Sequence, residues 1–267
     1  DGAVQLWLGD CREILPTLPD ASIDFVFTDP PFGHNNNNND DLILRWECAL
    51  GLRKATTAEL QADKTARPIV GDGTEANELV RWAFCEFNRL LAPGCCCCCC
   101  CCGGGPDPQF ARWSLWLDEA IGFKQMVVWD KGPMGMGWHY RRSYETVLVG
   151  EKPGAACRWF DDSQQIENII RPGDYGIRKI IPQADEHPTA KCVDLPLHFI
   201  GLHTQPGHLV IDPFMGRAST GVACIRTDRL FVGIEIDETE FNLAVNRIEA
   251  ELNRFPLFET PPAIQLE

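Results

Sequence analysis

Apolar residues along this chain fall into short runs that stop abruptly at glycine, proline or acidic positions, the pattern of buried strands punctuated by turns. Such runs predict strands at 4–8, 22–28, 95–102, 125–129, 144–149, 209–212 and 230–235. Stretches of helical spacing lie between them, at 12–18, 74–91, 108–121, 193–203, 218–227 and 238–253, with two more at 42–53 and 59–67. From residue 193 onward the order is helix, strand, helix, strand, helix, the unit from which parallel sheets are built. The expected fold is therefore one α/β domain over 1–267, interrupted by polar insertions at 34–73 and 151–190. The tail from residue 255, with Pro261-Pro262, reads as an arm or packed extension.

The run Phe25-Val26-Phe27-Thr28 ends at Asp29-Pro30-Pro31-Phe32. A strand cannot continue through two prolines, because each lacks an N–H and fixes its own φ. The chain must turn out of the sheet there, leaving a carboxylate, two rigidly directed carbonyls and an aromatic face at a strand's carboxyl end, where open α/β sheets bind ligands. Read alone, the motif is equally a rigid strand-to-loop turn. His34 and the asparagine run 35–39 follow it; amides compete with backbone hydrogen bonding, so this reads as a polar loop, either solvated or contacting bases and phosphates.

Composition narrows the classes. A net charge of -14 argues against a general nucleic-acid coat protein, since sequence-independent phosphate affinity comes from Lys and Arg. No apolar segment is long enough for a membrane helix and no signal peptide is readable, so a cytoplasmic protein is expected. Of 14 cysteines, those at 95–102 are consecutive. Neighbours in an extended chain face opposite ways and cannot form an ordinary disulfide framework, and the scattered Cys11, Cys48, Cys85, Cys157, Cys192 and Cys224 lack the spacing of a structural zinc site. The run is expected to be a reduced central strand buried on both faces, the alternative being a redox or metal site. The glycine-rich loop 132–137 lacks the Lys-Ser/Thr ending of a phosphate cradle and is read as mobile backbone.

A second constellation lies near the other end. Asp212-Pro213-Phe214-Met215-Gly216 joins a strand to a helix, and Glu235 ends the next strand, about 20 residues on, where an acid can bind ribose hydroxyls. Together with Asp29-Pro30-Pro31-Phe32, this pairing resembles the amino-methylating DNA methyltransferases of the β group, which use S-adenosylmethionine and place the Asp-Pro-Pro-aromatic motif before the cofactor loop. The resemblance implies a Rossmann-like methyltransferase fold: a mostly parallel, seven-stranded sheet with helices on both faces and a circularly permuted motif order. It implies that Asp29, Pro30, Pro31 and Phe32 are catalytic. The implied cofactor-binding positions are Asp10 and Cys11, Asp29, then His187, Thr189 and Lys191 of the His-Pro-Thr-x-Lys segment. They continue with Asp212, Pro213, Phe214, Gly216, Ser219 and Thr220, and with Glu235 and Ile236 of the ribose strand. Where the family usually carries a Gly-Ser-Gly-Thr type loop, this chain has Gly216-Arg217-Ala218-Ser219-Thr220, one glycine fewer for positive φ.

The implied activity is transfer of a methyl group to N6 of adenine in DNA, with the target base flipped out and no metal. Cytosine-N4, RNA and protein-amide methylation are alternatives, as is a non-catalytic nucleic-acid-binding subunit. Asp rather than Ser before Pro-Pro leans to adenine. A homodimer is compatible with the reading, and the two insertions are candidate target-recognition elements. A protein this acidic needs a local positive field where DNA enters, since its repulsion is only partly screened at about 8 Å in physiological salt. Lys131, Arg141 and Arg142 are the DNA-binding candidates, against the alternative that they pair with surface acids. Changing Arg141→Ala with Arg142→Ala is expected to weaken DNA binding and flatten its salt dependence by roughly 0.9 in log–log slope for each phosphate that is no longer neutralised. Titrations across a salt series check this, with cofactor affinity as the control.

Overall fold

The computed structural model describes residues 2–33, 73, 75–101, 109–132, 143–177 and 192–254. Eight strands, β1 (Val4–Leu8), β2 (Ile23–Thr28), β3 (Leu91–Cys101), β4 (Phe123–Asp130), β5 (Tyr144–Glu151), β6 (Ile169–Ile170), β7 (Leu209–Asp212) and β8 (Leu230–Glu235), form one sheet in the order β1-β8-β7-β2-β3-β5-β4-β6. Only the β3/β5 and β5/β4 neighbours are antiparallel, so the sheet is mostly parallel, as expected. Seven strands are those read from the sequence. The eighth, β6, is a two-residue edge strand inside the turn-rich segment, too short to leave a periodic signal, and it pairs with Val128 and Trp129 of β4.

The helices α1 (Cys11–Ile14), α2 (Ala76–Leu90), α3 (Gln109–Ala120), α4 (Asp194–His203), α5 (Ser219–Arg226) and α6 (Glu238–Arg254) lie on the two faces. Buried side chains in and beside α1, α2 and α3, such as Leu15, Phe84, Phe87, Trp113 and Leu117, pack on one face. Leu195, Phe199, Val222, Ala244 and Ile248 of α4, α5 and α6 pack on the other. The expected helices at 42–53 and 59–67 and the loop of residues 34–39 lie outside the described residues, as does the tail from 255.

The cysteine strand sits between the two layers. Cys95, Cys97 and Cys99 join the α2/α3 core, while Cys96, Cys98 and Cys100 join the opposite one, and all six are at most 2% exposed. Alternation of side chains along a strand requires this of any residue repeated in register, and a reduced thiol behaves as a small apolar side chain on either face. The strand starts irregularly: its pairing with β2 jumps from Ile23↔Leu91 to Phe25↔Cys96. Gly94 makes the detour at φ 79, with the Ala156 carbonyl so close that a Cβ would collide with it.

The cysteines are free thiols, and burial pushes those at Cys97 and Cys98 far above the ordinary range. Thiolate, the reactive form, is therefore suppressed across the strand. Thiol counting is expected to label the exposed Cys85 and Cys157 in the native protein and Cys95 to Cys100 only after unfolding. Rapid native labelling of the run would contradict the buried strand.

Candidate active site

The sheet order puts the carboxyl ends of β1, β8, β7 and β2 side by side, so Asp10, Glu235, Asp212 and Asp29 follow one another along a single edge. Asp29 and Asp212 come from opposite ends of the chain, yet β2 and β7 pair directly through Phe25↔Val210 and Val26↔Ile211. Beyond those pairs, side chains take over. Thr28 Oγ1 donates to Asp212 Oδ1 at 2.8 Å, Thr220 Oγ1 donates to Oδ2 at 2.7 Å, and the Phe214 N–H donates to Oδ1 at 3.2 Å. Asp212 is only 4% exposed, so both its oxygens are committed to holding the loop that follows it. Thr28 carried no signal in the sequence, being one polar residue in an apolar strand whose partner is 184 positions away.

Burial raises the Asp212 carboxyl to about 7; the hydrogen bonds from Thr220, Thr28 and Phe214 oppose the shift and the nearby Asp29 charge adds to it.

The residues of the Gly216 loop lie together at the carboxyl ends of β7 and β8. Glu235, half-buried, accepts the Gly216 N–H at 2.9 Å and the Asp237 N–H at 2.9 Å. Burial raises its carboxyl, against those backbone hydrogen bonds. Gly216 takes φ 49, and none of the described residues lies within 4 Å of the place a Cβ would occupy, so the loop presents open space beside the Glu235 carboxylate. Ala218 stands at φ 56 and ψ 42, a left-handed conformation reached without glycine. Arg247 Nη1 donates to the Arg217 carbonyl and to Ser219 Oγ, both at 3.1 Å. Pro213 is buried, Phe214 half-buried, and Ile236 is exposed at the end of the edge.

At the β1 end, Asp10 caps α1 by accepting the Arg12 N–H at 2.9 Å, and its carboxylate also pairs with the Arg12 guanidinium at 2.6 Å. The hydrogen bond from the Arg12 side chain holds the Asp10 carboxyl below its ordinary value. Cys11 is buried beneath it, its thiol pushed up to about 12 by burial.

In the Asp29-Pro30-Pro31-Phe32 turn, Asp29 is half-buried, Pro30 buried, and Pro31 and Phe32 half-buried. The Phe32 ring leans on Trp113 with 6.1 Å between centroids, and its carbonyl accepts from Gln109 Nε2 at 2.9 Å. Lys131 follows β4 on the same edge; its ammonium pairs with Glu145 at 2.6 Å and lies 5.5 Å from the Trp129 ring centroid. His187, Thr189, Lys191, Arg141 and Arg142 lie outside the described residues.

A mostly parallel sheet that gathers an acidic Pro-Pro turn and a glycine loop with a strand-end acid at adjacent carboxyl ends has the layout of the nucleotide-binding α/β folds. This chain belongs to the DNA methylase family of the N6/N4 methyltransferases, whose family model matches residues 23–246. It is 46% identical over 266 residues to the type II methyltransferase M.Cfr9I of Citrobacter freundii, across 92% of this chain and 88% of the relative. In fold it is similar to the DNA modification methylase TTHA0409 of Thermus thermophilus complexed with S-adenosyl-L-methionine (TM-score 0.64, 19% identity, 94% of this chain and 95% of that one). It is similar also to the PvuII DNA methyltransferase, a cytosine-N4-specific enzyme (TM-score 0.62, 18% identity, 94% and 92%). The chain is thus a DNA methyltransferase with a Rossmann-like fold, and its cofactor is S-adenosylmethionine. Among the described residues no helix is long and apolar enough to cross a membrane.

The Asp212 network has a pH signature. The folded protein holds the Asp212 proton up to about pH 7, whereas the unfolded chain releases it near the ordinary carboxylate value of 3.8. Stability from this group therefore falls as pH rises from about 4 to about 7 and is flat above. Asp212→Asn removes the titration while leaving one acceptor for Thr28 and a donor for Thr220. Across that window the variant is expected to gain on the order of 2–4 kcal/mol relative to wild type. Thermal midpoints at pH 5 and pH 8 check it; a constant difference between the two proteins would remove Asp212 as the titrating group.

Proposed function

We propose that the chain transfers the methyl group of S-adenosylmethionine to N6 of an adenine flipped out of duplex DNA. The observation that carries this reading is the 2.8 Å Thr28–Asp212 hydrogen bond, which joins the base of the Asp29 turn to the base of the cofactor loop. An exocyclic amine is a poor nucleophile because its lone pair is delocalised into the ring. Asp29 and the Pro30 carbonyl accept its two hydrogens and so localise the pair on nitrogen. Pro30 and Pro31 fix the direction of those acceptors, and Phe32 stacks on the base. Glu235 binds ribose hydroxyls, with the 213–216 loop alongside. When bound, the cofactor supplies an electrophilic methyl on a sulfonium. The amino nitrogen would take that methyl as the bond to sulfur parts with its electron pair, and Asp29 or water would take the proton the nitrogen releases.

A second reading, cytosine N4, is supported by the likeness in fold to the cytosine-N4-specific PvuII enzyme. The chemistry is the same, because both bases offer an amino group conjugated to a ring nitrogen. Asp29 as the residue before Pro-Pro favours adenine. We place DNA recognition in the segments 34–73 and 151–190, and DNA contact at Lys131, Arg141 and Arg142. Lys131 would have to exchange its Glu145 partner for a phosphate.

Incubating duplex DNA with labelled cofactor and digesting it to nucleosides separates the readings: N6-methyldeoxyadenosine supports the first, N4-methyldeoxycytidine the second. Asp29→Ala is expected to lower turnover by at least about 10²-fold while cofactor affinity by calorimetry stays within about threefold, since its work is on the amine. Full turnover in the variant would take Asp29 out of the mechanism.

A further inference from the structure

Gln109 is 1% exposed and stands at the first position of α3, an uncommon place for a neutral amide with so little solvent. Its Nε2 donates to the Phe32 carbonyl at 2.9 Å. Its Oε1 is buried and has no hydrogen-bond partner among the described residues. One turn further along α3, Trp113 supports the Phe32 ring, and the Trp113 indole N–H is fixed by Asn77 Oδ1 on α2 at 3.0 Å. The next residue after Phe32, Gly33, takes φ 70, and a Cβ there would press on Ala76 of α2 and the Gly73 carbonyl. The starts of α2 and α3 thus grip the far end of the Asp29-Pro30-Pro31-Phe32 turn by one hydrogen bond, one aromatic contact and one close backbone approach.

We propose that Gln109 is a positioning residue for methyl transfer: acting through the Phe32 carbonyl, it sets the plane in which the Phe32 ring meets the flipped base. Thr28 anchors the turn where it leaves the sheet, and the two prolines stiffen its middle, but neither fixes the peptide that follows Phe32. The Gln109 amide holds that peptide through the Phe32 carbonyl. An apolar side chain of the same size would relieve the unpartnered Oε1 but take the donor from the Phe32 carbonyl, so its effects on folding offset. Loss of transfer with little change in stability therefore separates a residue that sets geometry from one that only supports folding.

The inference rests on the role given to Phe32 above, so the test has one arm that needs no DNA. Gln109→Leu and Gln109→Met are compared with wild type by thermal melting, calorimetric cofactor titration, single-turnover methyl transfer and hydrogen exchange of the peptide covering 29–33. The expected result is a melting midpoint close to that of wild type and a cofactor affinity within about twofold. Exchange at 29–33 is faster, and the transfer rate is lower by about tenfold to hundredfold, the effect of a misplacement near 1 Å. KM for DNA changes less than kcat, because the loss lies in alignment within the complex. A melting midpoint that falls while transfer per folded molecule is intact would make Gln109 a structural residue and overturn the proposal. So would unchanged exchange at 29–33. If wild type itself modifies no base in DNA, the reading of function fails, and the exchange arm still decides whether Gln109 holds the turn.

Discussion

The buried hydrogen bonds around Asp212 are the constraint on which the rest of the site depends. Main-chain pairing between β2 and β7 covers Phe25↔Val210 and Val26↔Ile211 and stops short of the strand ends. What sets the catalytic turn against the cofactor loop is therefore a side-chain link, Thr28 to Asp212 to Thr220, continued by the Phe214 N–H. A carboxylate this deep is disfavoured by burial, which is why it titrates near neutrality. An apolar pair would pack there with less penalty, but would not fix direction. Two motifs that lie at opposite ends of the sequence are brought together by the β2/β7 pairing and then locked by three donors on one acid.

Much of this was legible from the sequence, for reasons that differ by element. The cysteine run was readable because burial on both faces needs no alternation, and a run bounded by Pro-Gly and triple glycine leaves little else for it to be. The two motifs were readable because proline and glycine act locally: Pro30 and Pro31 end β2 whatever surrounds them, and Gly216 takes the positive φ its position asks for. The adjacency of β2 and β7 has no signature in spacing, because the two strands lie at opposite ends of the chain. Thr28 and Gln109 were not legible at all. Each works through one partner that is distant in sequence, Asp212 or the Phe32 carbonyl, and a single polar residue in an apolar segment has no periodicity to reveal it. Asp10 shows the converse. Named from the resemblance as a cofactor position, it also caps α1, accepting the Arg12 N–H while standing at the carboxyl edge beside Glu235.

The cofactor loop shows how a missing glycine is absorbed. Left-handed backbone at an alanine costs about 1–2 kcal/mol relative to the ordinary region. Ala218 nevertheless holds φ 56, fully buried among the core residues of α4, α5 and α6. Burying its methyl returns about 0.8 kcal/mol that glycine could not supply, and alanine leaves the unfolded chain less freedom to lose. Its N–H also closes a turn onto the Met215 carbonyl at 2.8 Å. The two neighbouring side chains add constraint from outside: Arg217 pairs with Glu240 of α6 at 2.8 Å, and Arg247 of the same helix donates to the Arg217 carbonyl and to Ser219. A glycine-rich loop reaches its shape because nothing forbids it. In this loop α6 and the core hold the left-handed turn at Ala218, so the helix Glu238–Arg254 helps to fix the backbone that carries Gly216.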